Sequence, residues 1–376
     1  MGLNLNVKFI FAISYIIILS LQPNLKEFFP ITTLLLFIFF PYPILKENFF
    51  FILKIFKILI FICVITSIYI LLSSLIFPNY DLIFALRTPY YLLTIIIYSF
   101  FFFFWFLRLD KNIFINLFFA VLLSEILGIL FFDSNYLLEI KNFSILSLIL
   151  YILIILLSIK RNNKNIFFFF IIIFLITGII NSSQQSIILF LSSILVFLFS
   201  GNKQNNFIIK SIKNIIIFYP LLFITLIYLF PNLVNYDSNV AFRLDAIKYN
   251  IDILFSNPLE YLRLDRATHP YQLEALQYED NDSLKNISSH NALIDFFSKT
   301  TFVGFLIFIY FINNISFLLS KISNTYNKLI SCFFWLYLGI HLCLNQIFRF
   351  NQIVILSLIL GYLMYLVLID KNESKN

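Results

Sequence analysis

The chain has 376 residues, 61% hydrophobic and 12% charged, with 51 Phe and a mean hydropathy of +0.94. A soluble domain is about 45–50% apolar and about 25% charged, so the composition excludes an ordinary soluble enzyme, a disordered tail and a secreted disulfide scaffold. It leaves a polytopic membrane protein, and the net charge of +7 is read first through topology, because loop Lys and Arg orient membrane proteins.

A membrane span needs about 20 mostly apolar residues. In chain order such stretches fall at about 8–22, 28–45, 55–77, 89–107, 112–132, 142–159, 165–180, 183–200, 214–230, 299–320, 327–348 and 350–369. The expected fold class is therefore all-α, a polytopic integral membrane protein of about 12 transmembrane helices. The first stretch lacks a small-residue cleavage site and reads as a span rather than a removed signal. With the N-terminus inside, sixteen of the 26 basic residues fall in cytoplasmic segments, four in short outer loops and six in one long outer loop. This positive-inside bias sets both termini in the cytoplasm. The basic residues are spread over many segments and form no single patch, which argues against a nucleic-acid partner.

Residues 231–298 are the exception to the apolar pattern. This polar segment separates spans one to nine (1–230) from spans ten to twelve and a short tail (299–376), and nine crossings place it outside. Long connections without secondary structure are uncommon, and the spacing here predicts helices. Over 239–255, Leu244, Ile247, Ile251 and Leu254 share one face, with Arg243, Asp245, Lys248 and Asp252 elsewhere. Asp237 or Ser238 is placed to cap that helix, and Pro258 follows its end. A second short helix is predicted at 271–280. A third is predicted to begin at Ser288 or Ser289 and to run on into span ten.

Several residue types here carry chemistry. His290, in the first turn of that third helix, sits where the locally positive helix N-terminus favours neutral imidazole and attracts anions. A neutral His at the membrane surface can act as a general base, though a surface histidine in a polar loop fits the same position. His269, before Pro270, reads as a turn residue. Arg243 can grip a phosphate bidentately or stand solvated on a polar face. Arg87, ahead of Thr88-Pro89 at the outer end of span four, can reach a head group or snorkel to the interface. Arg263 and Arg266 share the loop. Gln184 and Gln185 lie in the polar run Asn181–Ser186, which either lines a cavity or forms a hairpin. Glu125 and His341 lie inside spans, where ionisable residues default to a functional hypothesis or pair across helices. Cys63, Cys332 and Cys343 all lie in apolar runs and form no CxxC pair; with no HExxH or His/Cys cluster, no metal or disulfide framework is expected.

The order of pieces resembles a known family. The long outer loop opens with Arg243-Leu244-Asp245-Ala246 and reaches Ser256-Asn257-Pro258-Leu259. It closes with Ser289-His290-Asn291-Ala292-Leu293-Ile294-Asp295, with Val303-Gly304 following. Together with twelve spans and the loop between spans nine and ten, this is similar to the bacterial O-antigen ligases and the related O-antigen polymerases. Glu260 and Tyr261 stand where the family usually has glycines. Lys299 and Thr301 replace a common acid and glycine, and Ser183-Gln184 replaces a frequent Ser-Arg pair.

The resemblance implies a metal-independent, cofactor-free membrane glycosyltransferase in the bacterial inner membrane, with the loop in the periplasm. Its donor is a glycan on undecaprenyl diphosphate, and its acceptor is lipid A core or another lipid-linked glycan. The implied catalytic residues are His290 and Arg243. Substrate binding falls to Arg87, Gln184, Asn291, Arg263 and Arg266. The single long loop after span nine favours a ligase over a polymerase. The rival of another class is a 12-span transporter or lipid-linked glycan flippase, which predicts broken helices and paired midplane charges related by an internal repeat.

Overall fold

The computed structural model describes residues 42–108, 184–229, 238–266, 291–344 and 350–373, with scattered helical positions between 151 and 176. Among these residues the regular structure is entirely helical. We number the helices α1 (Tyr42–Ile76), α2 (Leu82–Arg108), α3 (Gln184–Leu198), α4 (Asn202–Leu229), α5 (Ser238–Ser256), α6 (Pro258–Tyr261), α7 (Ala292–Lys299), α8 (Phe302–Ser320), α9 (Thr325–Leu344) and α10 (Phe350–Glu373). Five stretches among them are long and apolar enough to cross a membrane: Phe49–Ile76, Leu82–Phe104, Phe302–Ser320, Thr325–Leu344 and Gln352–Glu373. The chain is a helical membrane protein in its described part, and the predicted spans one, two, five and six lie wholly or largely outside it.

Helix α2 packs against α1 and α10, while α9 is buried along almost its whole length and packs against α3, α4 and α10. Its contacts with α4 repeat at helical spacing. Cys332 Sγ meets Asn205 O at 3.6 Å, Trp335 Nε1 donates to Ile209 O at 3.0 Å, and Gly339 lies against Ile212 and Ile216. Helices α2 and α10 make the closest approach. A Cβ added at Gly361 would stand 2.9 Å from Phe103 N and Ser99 O, the kind of backbone proximity that small residues permit between membrane helices. The aromatic run of α2 fills this seam, with Phe106 against Tyr362 and Tyr365. Side chains of α1, α2, α7, α8, α9 and α10, among them Leu59, Leu92, Phe296, Phe308 and Leu338, close around a wholly apolar gap of about 10 Å³, which offers an ordered water no polar partner.

The helix ends fall into two groups. At one end Asp370 of α10 accepts hydrogen bonds from the backbone N–H groups of Ser323 and Asn324 (2.8–3.0 Å), and Asn324 Oδ1 caps the first turn of α9 through Tyr326 N and Asn327 N. At the other end lie the α1–α2 turn, the segment α5–α7 and the C-terminus of α9. The described part of the polar segment thus lies at one end of an apolar bundle.

Two expectations are corrected. The third loop helix does not run on into span ten. Thr300 and Thr301 are extended (ψ 178° and 163°), and the Thr301 hydroxyl caps α8 by accepting from Gly304 N at 3.2 Å. The cap of α7 is Asn291 rather than Ser288 or Ser289, so α7 begins after His290, which itself lies outside the described residues.

Candidate functional site

Helix α5 follows its predicted pattern. Leu244 and Ile247 are buried, Ile251 and Leu254 are half-buried, and Lys248 and Asp252 are exposed. Asn257 then accepts from Glu260 N at 3.3 Å, with Pro258 opening α6, a position where proline's missing N–H is harmless. Tyr261 anchors α6 to α7: its hydroxyl donates to Phe297 O at 2.8 Å and its ring lies 5.2 Å from that of Phe297. Burial raises the Tyr261 phenol to about 12, against a smaller opposing pull from Arg266.

Residues 261–266 also clamp onto the α1–α2 turn. Tyr69 Oη donates to Leu262 O at 2.6 Å, Arg263 Nη2 donates to Asn79 O at 3.2 Å, and the Asp81 amide donates to Asp265 Oδ2 at 2.9 Å. Asn79 has φ 56°, a left-handed conformation that Asn tolerates better than most residues. Arg263 forks onto Asp265 with bonds of 3.1 and 2.8 Å, and that bond raises its pKa further. Arg266 is 5% exposed. It donates to Asn250 Oδ1 at 2.9 Å and lies 5.0 Å from the Tyr261 ring centroid. Burial lowers its pKa, with Tyr261, Tyr249 and Glu260 opposing. Both arginines named from the sequence as ligands therefore tie the polar segment together.

A second group forms beneath α7. Asn291 is 2% exposed. Its Oδ1 accepts from Leu293 N at 3.0 Å and Ile294 N at 3.1 Å, and its Nδ2 donates to Cys343 O at 3.1 Å. That side chain joins α7 to the end of α9. Asp295 is fully buried one turn on. Lys299, a further turn along, has its pKa lowered by burial; Asp295 raises it and Arg87 lowers it again. Arg87 is exposed in the second turn of α2, with its guanidinium 5.5 Å from the Phe84 ring centroid. Two cations thus act on each other beside one carboxylate.

The backbone of Arg243 lies in α5 and that of Gln184 opens α3; their side chains are outside the described residues, as are His290, His269 and Glu125. Sequence reasoning passed over Asp295 as a partner for Lys299, although the i, i+4 spacing signals such a pair. It also passed over Tyr261, whose contacts are non-local. Neither a protein-family model, nor a curated protein, nor a solved structure matches the chain.

Proposed function

We propose that the chain is an O-antigen ligase-like glycosyltransferase that moves a glycan from undecaprenyl diphosphate to an acceptor such as lipid A core, at the outer face of the inner membrane. The observation that supports this most is the Arg87–Lys299 pair, two interacting cations at the bundle end where the polar segment is docked. A lipid diphosphate brings its charge to that depth, and fixed cations there neutralise it as it leaves. In this reading the acceptor hydroxyl oxygen attacks the anomeric carbon while the bond to the diphosphate breaks. His290 takes the hydroxyl proton, and Arg243 and Arg87 hold the departing diphosphate. A polymerase would share this donor chemistry; the single long segment before α8 favours the ligase. The test is His290→Ala and Arg243→Ala in the native host. Loss of polysaccharide attachment at normal membrane abundance is expected. Unchanged attachment and chain length in both variants would remove the transferase reading.

A further inference from the structure

The corner between α5 and α6 turns apolar side chains outward. Phe255 is 81% exposed, Leu259 67% and Leu262 44%, and Pro258 is exposed between them. The charges of the same stretch are occupied with one another. Glu260 is half-buried and its charge is felt by Arg263 and Arg266, and Arg263 is ion-paired with Asp265.

Helix α1 fixes the height of this corner. Tyr69, which donates to Leu262 O at 2.6 Å, stands well before the end of the span Phe49–Ile76. From 69 to 76 the helix rises about 10 Å, and helical side chains lean further back towards the N-terminus. Leu264 packs with Ile70 and Ala85 at the same level. The Leu262 backbone is therefore held beside the last turns of an apolar span rather than above them. Leu72 and Ile76, on the Tyr69 face of α1, are themselves exposed. The corner is tied to a second span through Tyr261, whose hydroxyl donates to Phe297 O. The Phe297 ring lies 5.5 Å from that of Phe305 in the first turn of α8, where Phe302, Val303 and Leu306 are exposed.

We infer that the α5–α6 corner lies in the boundary of the lipid bilayer, with Phe255, Leu259 and Leu262 against acyl chains and Lys248 and Asp252 of α5 in water. Backbone that meets lipid must satisfy its own polar groups, and this corner does. Tyr261 N donates to Asn257 O at 3.1 Å, Leu262 N to Pro258 O at 3.3 Å and Arg263 N to Glu260 O at 3.0 Å. Leu262 O is taken by Tyr69, and Pro258 has no N–H to satisfy. Interfacial segments bind by burying apolar side chains at the head-group boundary, and the corner continues the exposed apolar ends of α1 and α8. The inference holds whatever reaction the protein carries out.

The test places a nitroxide spin label at one position at a time, through Leu259→Cys, Leu262→Cys or Asp252→Cys, in the full chain reconstituted into phosphatidylcholine vesicles. The parent protein gives the background from its own cysteines. Relaxation by oxygen, which concentrates in lipid, is compared with relaxation by a neutral nickel chelate, which stays in water. The expected ratio of oxygen to nickel relaxation is several-fold higher at 259 and 262 than at 252. The label at 259, the more exposed position, reads the corner even where one at 262 loosens the Tyr69 contact. Equal ratios at 252 and 259 place the corner in water and overturn the inference. Weak relaxation by both reagents at 259 means that protein covers the corner, either a second copy or another segment of the chain, and overturns it as well.

Discussion

Replacing Asn291 by Ala removes three hydrogen bonds from a side chain that is 2% exposed. Two of them cap α7, and loss of an Asn cap costs about 1 kcal/mol, up to about 2. The third satisfies Cys343 O at the buried end of α9; an orphaned carbonyl there costs about 1–3 kcal/mol. The variant is expected to be destabilised by about 3 kcal/mol, read from denaturant unfolding of the purified protein in detergent, with faster amide exchange over 292–299. Asn291→Asp separates the two effects. It keeps the acceptor for Leu293 N and Ile294 N but turns a carboxylate towards a carbonyl oxygen. It is therefore expected to be at least as unstable at neutral pH, and to recover in acid as the carboxyl protonates and can donate. If Asn291→Ala lies within about 0.5 kcal/mol of wild type while glycan transfer falls, the residue binds substrate and does not join α7 to α9.

Tyr261→Phe loses the hydroxyl bond to Phe297 O and is expected to cost about 1 kcal/mol at pH 8. Because burial raises the phenol to about 12, the tyrosine's advantage is complete below its ordinary pKa near 10. It shrinks as the pH climbs from about 10 towards 12. A gap between the two proteins that stays constant from pH 8 to 11.5 would contradict this. Gly361→Ala drives a Cβ to 2.9 Å from backbone atoms of α2, and overpacking of this kind costs about 1–3 kcal/mol. At Gly201 the added Cβ meets only the end of the Gln204 side chain, which can swing aside, so Gly201→Ala is expected to stay within about 1 kcal/mol of wild type.

Local signals carried parts of the fold well. The period of Leu244, Ile247, Ile251 and Leu254 located α5 to within one residue at each end, because an amphipathic helix on an apolar support has little freedom of register. Pro258, read from the sequence only as following the end of α5, also opens the short helix α6, which the sequence reading did not anticipate. The break at Thr300–Thr301 was harder to see inside an apolar run, yet Thr301 is a good N-cap three residues before Gly304. Helix α2 begins at Leu82, ahead of Pro89, because Asp81 Oδ1 accepts from Phe84 N at 2.9 Å. The predicted span had begun at the proline, which left Arg87 outside the helix. Least legible were Arg263 and Arg266. Their charge suggested ligand binding, but Arg263 meets Asn79 across 184 residues of sequence, and no periodicity reports such a contact.

The central claim is that the segment docked on the α1–α2 turn faces the outer side, where a lipid-linked glycan is presented. Asp252 is exposed on α5, while Cys332 and Cys343 are buried and Cys63 is half-buried. The decisive measurement is labelling of an Asp252→Cys variant with a charged thiol reagent that does not cross the inner membrane, applied to intact cells, with the parent protein as background. Rapid labelling in intact cells is the predicted result. Labelling only after the membrane is opened would place the segment in the cytoplasm and contradict the account.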